Sequence, residues 1–468
     1  MAPARSRRPQ GGRRSGVDDA RLAAYHVVHA VSTRDAYANL ALAAALRERE
    51  VTGRDAAFAT ELTHGTLRWR GTYDEILARC VDRPLDRLDT AVLDVLRLGT
   101  HQVLGMRVPA HAAVATSVDL ARRVAGRGPS ALVNAVLRRV ARRDREDWLA
   151  EVAPSYDSDP AGHLAIVHAH PRWVVEAFRD ALAGSWAETA AALAADNEPA
   201  PVTLTAWPGR GEVAELVSAG ADPGRYSPYA AVLRHGDPHG LTAVQQGRAG
   251  VQDEGSQLVA LALAAAPVEG RDTRWLDLCA GPGGKAALLA GLAAERGARL
   301  LAVERQPHRA SLVARALGCR PGVLGPSGVL GSVIADGTRP AWRAATFDRV
   351  LVDAPCTGLG ALRRRPEARW RRSPGEVGEL HELQVALLQA AVDSVRPGGV
   401  VAYATCSPHL TETRQVVDAV LTTRDDAERI DARPSLPGVP DLGDGPDVQL
   451  WPHRHGTDAM YLALLRRR

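Results

Sequence analysis

The sequence is short of cysteine: five residues are scattered over 468 positions. An odd, dispersed set excludes a disulfide framework and points to reduced thiols in a cytoplasmic setting. No CxxC pair occurs and the fifteen histidines show no ligand spacing, so no metal is expected. No run of about 18 apolar residues is present, which leaves no membrane-spanning helix to expect. An excess of one charge is missing too. With 58 Lys and Arg against 54 Asp and Glu, a nucleic-acid role must rest on where the arginines cluster. No internal repeat is found, and no low-complexity tract beyond the first sixteen residues.

What is present divides into four stretches. Residues 1–17, opening "MAPARSRRPQGGRRSG", are basic but precede no apolar core, so neither a secretory signal nor an anchor is expected. The stretch reads as a disordered arginine-rich arm that touches nucleic acid, or as a solvated tail of no consequence. Residues 18–143 carry apolar positions at three- and four-residue spacings throughout, which predicts an all-α domain of five to seven helices. Residues 144–245 mix helical stretches with the strand-like "PVTLTAW" and predict a small α+β linking module. From 246 to 468 short apolar runs ("RWLDL", "RLLAVE", "SVIAD", "FDRVLVD", "GVVAYAT") alternate with helices, the pattern of a mostly parallel, Rossmann-like α/β sheet. Ligands of such sheets gather at the carboxyl ends of the strands, where Asp277, Glu304, Asp336, Asp353 and Cys406 fall or nearly fall.

The stretch "LDLCAGPGGKAALLA" joins a strand to a helix through Gly281, Gly283 and Gly284. Glycines let a ligand approach the backbone, and the amides opening the helix attract negative charge. Ala286 after Lys285 excludes a nucleotide-triphosphate loop, and GxGxxG is absent. Glu304, about 20 residues on, is suited to two ribose hydroxyls, and Asp336 to a neighbouring adenine edge. A ribose, an adenine and a short carboxylate tail without phosphates describe S-adenosyl-L-methionine.

Two of the scarce cysteines end strand-like runs, Cys356 in "DAPC" and Cys406 in "ATCSPH". Carbon 5 of cytosine is a poor nucleophile. A thiolate adding to carbon 6 makes it an enamine carbon that can take a methyl group. Cys406, with His409 and its turn favouring the thiolate, fits the nucleophile; Asp353 is placed for the base edge and Cys356 for a second thiol role. Cys80 and Cys319 read as ordinary buried residues. Around Trp370, the residues Arg363, Arg364, Arg365, Arg369, Arg371 and Arg372 suggest RNA phosphates and a stacking platform.

The segments "LTHGTLRWRGTYDEIL", "LDTAVLDVLRLGTHQVL", "VPAHAAVATSVDLAR" and "ALVNAVLRRV" resemble the NusB family of helical RNA-binding and antitermination proteins. "CAGPGGK", "DAPCTGLG", "RRRPEARWR" and "YATCSPH" together resemble the Sun/RsmB family of RNA 5-methylcytosine methyltransferases. The second resemblance implies that Cys406 forms the covalent adduct and Cys356 assists its breakdown. It also implies that Cys279, Ala280, Gly281, Pro282, Gly283, Gly284 and Lys285, with Glu304, Asp336 and Asp353, line the S-adenosyl-L-methionine site, and that Lys285 and Asp353 touch the base. The chain departs from the family pattern at Gly281, where Ala is usual, at Glu304, where Asp is common, and at Thr413, where Asn often stands. The expectation is a cytoplasmic, monomeric cytosine-5 methyltransferase acting on RNA, 16S ribosomal RNA foremost. Transfer RNA as substrate, or an RNA-binding factor with an inactive methyltransferase half, stand as alternatives.

Overall fold

The computed structural model describes residues 17–320, 322 and 325–468; all but the last residue of the expected basic arm lies outside them. Contacts divide the chain into two units, after Ala169.

The first unit is helical. Its α-helices are α1 (Asp19–Arg34), α2 (Ala38–Glu48), α3 (Gly53–Arg68), α4 (Arg70–Cys80), α5 (Thr90–Leu104), α6 (Ala110–Val124), α7 (Arg127–Val140), α8 (Arg145–Val152) and α9 (Pro160–Val167). Helix α5 is central and is buried along most of its length, polar residues included. The charged ones among them are paired, as burial requires. Arg97 donates from Nε and Nη2 to the two oxygens of Asp74 at 2.7 and 2.8 Å, and Asp94 accepts from Ser32 at 2.9 Å. By sequence pattern α8 and α9 fall within the expected linking module, 144–245. They lie in this unit because Trp148 of α8 is buried and donates to the Val140 carbonyl at 2.9 Å, while Thr72 of α4 donates to the Ile166 carbonyl at 2.5 Å.

The second unit opens with α10 (Arg172–Ala181) and α11 (Trp186–Ala195). A four-stranded antiparallel sheet follows, in the order β2 (Ala221–Pro223), β3 (Ala230–Leu233), β1 (Val202–Ala206), β4 (Ala249–Val251). Of its strands only β1 carries an apolar run long enough to read from sequence. Two short helices, α12 (Val213–Ser218) and α13 (Thr242–Gln245), interrupt it.

The larger sheet has a parallel centre, β7 (Val329–Ile334), β6 (Arg299–Glu304), β5 (Arg274–Asp277), β8 (Phe347–Asp353) and β9 (Val395–Thr405), in that order. Beyond β9 come β12 (Tyr461–Arg467), then β10 (Ala427–Ile430), both antiparallel to their neighbours, with β11 (Val448–Gln449) also paired to β12. Helices α14 (Glu254–Ala265), α15 (Gly284–Glu295) and α16 (Pro307–Leu317) pack on one face; α17 (Pro374–Ser394) and α18 (Arg414–Thr422) pack on the other. Buried on both faces, the central strands read as nearly continuous apolar runs, which is why the sequence announced them. A one-turn helix, α19 (Pro452–His455), precedes β12.

One charge inside this apolar sheet is held by several donors. Asp348, fully buried at the start of β8, accepts from the backbone N–H of Thr273 at 2.7 Å and of Arg274 at 2.8 Å. Arg271 and Arg396 donate from Nε at 3.0 and 2.6 Å. Burial opposes the charge, but these backbone and guanidinium donors hold the carboxyl below its ordinary range. Its contribution to stability is therefore present above about pH 4 and lost as the pH falls below that. We expect D348A to destabilise this unit by about 3–5 kcal/mol, read from urea unfolding at neutral pH, with the gap to wild type closing on acidification.

Candidate active site

The carboxyl ends of the parallel strands bring most of the expected residues to one edge of the sheet. Asp277 closes β5, Glu304 closes β6, Asp353 closes β8, and Cys406 follows β9 directly. Asp336 lies two residues past β7. The glycine turn runs from Cys279 through Ala280, Gly281 and Pro282 to Gly283, which caps α15 with φ of +116°, a conformation L side chains rarely adopt. Gly281 is needed for a different reason. A Cβ there would stand 2.1 Å from Glu304 Oε2 and 2.9 Å from Arg309 Nε. Both contacts are with the ends of side chains, so the bare backbone at 281 leaves room for the carboxylate of Glu304. Arg309 also donates to the Gly281 carbonyl at 2.6 Å.

A cofactor with a ribose and a cationic end suits these groups. Glu304 uses Oε1 to accept from the Gln306 N–H at 2.8 Å, while Oε2 is 3.7 Å from Arg309 and keeps acceptor capacity. Asp277 is fully buried and its Oδ2 has no hydrogen-bond partner. Burial, and then the charge of Asp353, push its carboxyl up to about 8. Such an orphaned acid is stabilised by a cation arriving nearby. The sequence reading placed Asp277 at the strand end without giving it a role. Asp336 accepts from Thr338 N–H and Oγ1 at 3.0 and 2.8 Å, and these bonds lower its carboxyl below the ordinary range.

The two thiols meet. Cys356 Sγ and Cys406 Sγ are 3.5 Å apart, both half-buried. Their protons are not equivalent. A hydrogen bond from Cys356, helped by the charges of Lys285 and Arg365, lowers the Cys406 thiol against the opposition of burial and Asp353. The same bond, burial, the Cys406 charge and Glu412 push the Cys356 thiol well up. Cys406 is therefore the sulfur that ionises first. Lys285 donates to Asp353 Oδ2 at 3.0 Å. Burial disfavours the ammonium, but Asp353 more than offsets it and keeps Lys285 charged. His409 does not take the expected role: its Nδ1 accepts from the Thr411 N–H at 3.2 Å, and burial lowers its pKa, leaving a neutral ring.

The arginine-rich segment needs a larger correction. Arg363 donates to Asp458 at 3.1 Å and Asp253 at 3.3 Å, and Arg364 to the same two acids at 2.9 and 2.5 Å. Arg369 is wholly buried and donates to Asn197 Oδ1 and the Asp196 carbonyl, both at 2.8 Å. These three guanidinium groups hold the loop after Cys356 to the rest of the unit and are not presented to RNA phosphates. A sequence pattern of clustered arginines cannot reveal this, because Asp253 and Asp458 lie about a hundred residues away on either side. Arg365 and Arg372 are exposed, and Trp370 and Arg371 partly so. Among the described residues no group of His, Cys, Asp or Glu could hold a metal, and no helix is long and apolar enough to cross a membrane.

A parallel sheet with a glycine turn, strand-end acids and a thiol pair defines a Rossmann-like methyltransferase, here in one chain with a helical domain. Residues 262–466 match the family model for 16S rRNA methyltransferase RsmB/F, and residues 18–142 match the NusB family. A Mycobacterium tuberculosis protein named "Putative methyltransferase" is 54% identical over 98% of this chain and 99% of its own length. The ribosomal RNA small subunit methyltransferase B of Pseudomonas putida is 33% identical over 95% of this chain and 98% of its own length. The crystal structure of PH0851 has the same fold, with a TM-score of 0.78 at 19% identity over 96% of this chain and 98% of that one. The chain belongs to the RsmB/F family of RNA methyltransferases, and its methyl donor is S-adenosyl-L-methionine.

The unequal thiols give a test with a definite sign. Removing the Cys356 S–H in C356A should raise the pKa of Cys406 towards the ordinary thiol range. The midpoint of Cys406 alkylation by iodoacetamide, followed by peptide mass spectrometry between about pH 6 and about 10, should move up. An unchanged or lower midpoint would show that Cys356 does not favour the thiolate.

Proposed function

We propose that this protein methylates carbon 5 of a cytosine in 16S ribosomal RNA through a covalent intermediate on Cys406. The observation that carries the reading is the 3.5 Å thiol pair beside the Lys285 and Asp353 ion pair. The Cys406 thiolate adds to carbon 6, forming a carbon–sulfur bond and pushing the ring electrons onto carbon 5. S-adenosyl-L-methionine supplies the methyl group that carbon 5 takes. A water molecule acting as base then takes the proton from carbon 5, whose electron pair restores the ring double bond as the carbon–sulfur bond breaks and the sulfur departs as a thiolate. Cys356, kept protonated, serves that last stage by returning a proton to the departing Cys406. Lys285 and Asp353 together offer a donor and an acceptor for the base edge. Glu304 would hold the ribose of the cofactor, Asp336 its adenine edge, and the turn from Cys279 to Lys285 its tail.

The target base must leave its stack to reach a half-buried sulfur, so the substrate is RNA in an unpaired or opened segment. Arg365, Trp370 and Arg371 are the members of the basic segment that can meet it. Relatives named for the small ribosomal subunit favour ribosomal over transfer RNA. A chain of this kind works in the cytoplasm, as a monomer. An inactive RNA-binding factor would have no reason to keep two unequal thiols in contact.

In a methyl-transfer assay on 16S RNA read by bisulfite sequencing, C406A should abolish the 5-methylcytosine signal. C356A should instead accumulate protein bound to RNA on a denaturing gel. Full activity in C406A would overturn the reading.

A further inference from the structure

The two cysteines sit on separate loops, and both loops end on one buried acid. Glu412 is fully buried, and its carboxylate oxygens accept four hydrogen bonds. Oε1 takes the backbone N–H of Thr357, next to Cys356, at 2.7 Å and Gln384 Nε2 at 3.3 Å. Oε2 takes the hydroxyl of Thr357 at 2.5 Å and that of Ser407, next to Cys406, at 2.6 Å. Gln384, also fully buried, reaches from α17 to the Pro355 carbonyl at 2.8 Å, so Cys356 is gripped by its neighbours on both sides. On the other loop, the Cys406 carbonyl accepts from the Gly360 N–H at 2.8 Å. The acid itself is tethered where Tyr403 of β9 donates to its backbone carbonyl at 2.7 Å.

Bringing a buried acid into the sheet's edge is costly unless each oxygen is satisfied. Here the satisfaction comes from the residues flanking the thiols and from one side chain of α17. Without the acid the two loops would keep the Gly360 to Cys406 backbone bond and the contact of the Thr357 and Ser407 hydroxyls, 3.2 Å apart, but would lose the carboxylate that binds both residues beside the thiols.

We propose that Glu412 is a positioning residue for the cysteine chemistry, its carboxylate clamping Thr357 and Ser407 at once and thereby setting the spacing of the Cys356 and Cys406 sulfurs. The methyl-transfer consequence rests on the function proposed above, whereas the spacing itself does not. Glutamine can keep all four contacts at 412, because the Thr357 and Ser407 hydroxyls can turn to accept from its amide. Leucine can keep none.

The test compares E412Q, E412L and S407A in the full chain, each checked for folding by thermal melting. Spacing is read without RNA, as the rate at which phenylarsine oxide, which bridges close thiols, protects Cys356 and Cys406 together from alkylation. E412L should lower the bridging rate and kcat about 100-fold while leaving KM for RNA within about threefold, as a misplaced reacting group does. E412Q should restore both to within about fivefold, and S407A, which removes one donor, should fall between. Wild-type bridging in a folded E412L would overturn the proposal; should E412L not fold, wild-type bridging in S407A would do so. Slowed bridging alongside an active C406A would keep the clamp and discard the covalent reading.

Discussion

The chemistry proposed for this protein rests on the contact between two sulfurs. At 3.5 Å one thiol can donate to the other, and the Lys285 and Arg365 charges favour the thiolate at Cys406, which the proposed reaction uses as nucleophile while Cys356 stays the acid. Neither property belongs to a cysteine alone. An isolated thiol buried at a strand end would be pushed up, as Cys279 is by burial and the acids around it. The rest of the second unit can be understood as what is needed to hold this pair steady beside a cofactor and a base.

Parallel strands supply the frame. Because β5, β6, β8 and β9 all run the same way, their carboxyl ends form one rim, and residues over a hundred positions apart in sequence become neighbours. The opposite rim is fastened by Asp348 and its four donors. Around the active rim, polar side chains do similar work at closer range. Glu412 joins the two thiol loops, while Arg363 and Arg364 join the second half of the Cys356 loop to Asp253 and Asp458. The site is thus braced by buried ion pairs and hydrogen bonds, not by apolar packing alone.

Much of this was legible in the sequence, for physical reasons. Buried parallel strands leave apolar runs, the glycine turn leaves glycines, and cysteines are too rare here for two at strand ends to pass unnoticed. The rest depended on partners distant in the chain. Clustered arginines look like one RNA face until Asp253 and Asp458 are seen to pair with Arg363 and Arg364, and Glu412 looks like any acid after a turn until the loops close over it. Strands β2, β3 and β4 are too short to carry a pattern, and α8 and α9 are bound to the first unit by Trp148 and Thr72, whose contacts no local reading shows. The closeness of Gly281 to the Glu304 carboxylate, 23 positions on, is likewise invisible until the strands are placed side by side.

The central claim is that the sulfur of Cys406 bonds to the target base. It is tested most directly by incubating the wild-type protein with S-adenosyl-L-methionine and RNA containing 5-fluorocytosine. Its fluorine cannot leave as a proton does, so the intermediate should persist. Digestion and mass spectrometry should then find the nucleotide on the peptide containing Cys406. Attachment at Cys356, or no attachment to any cysteine, would contradict the account.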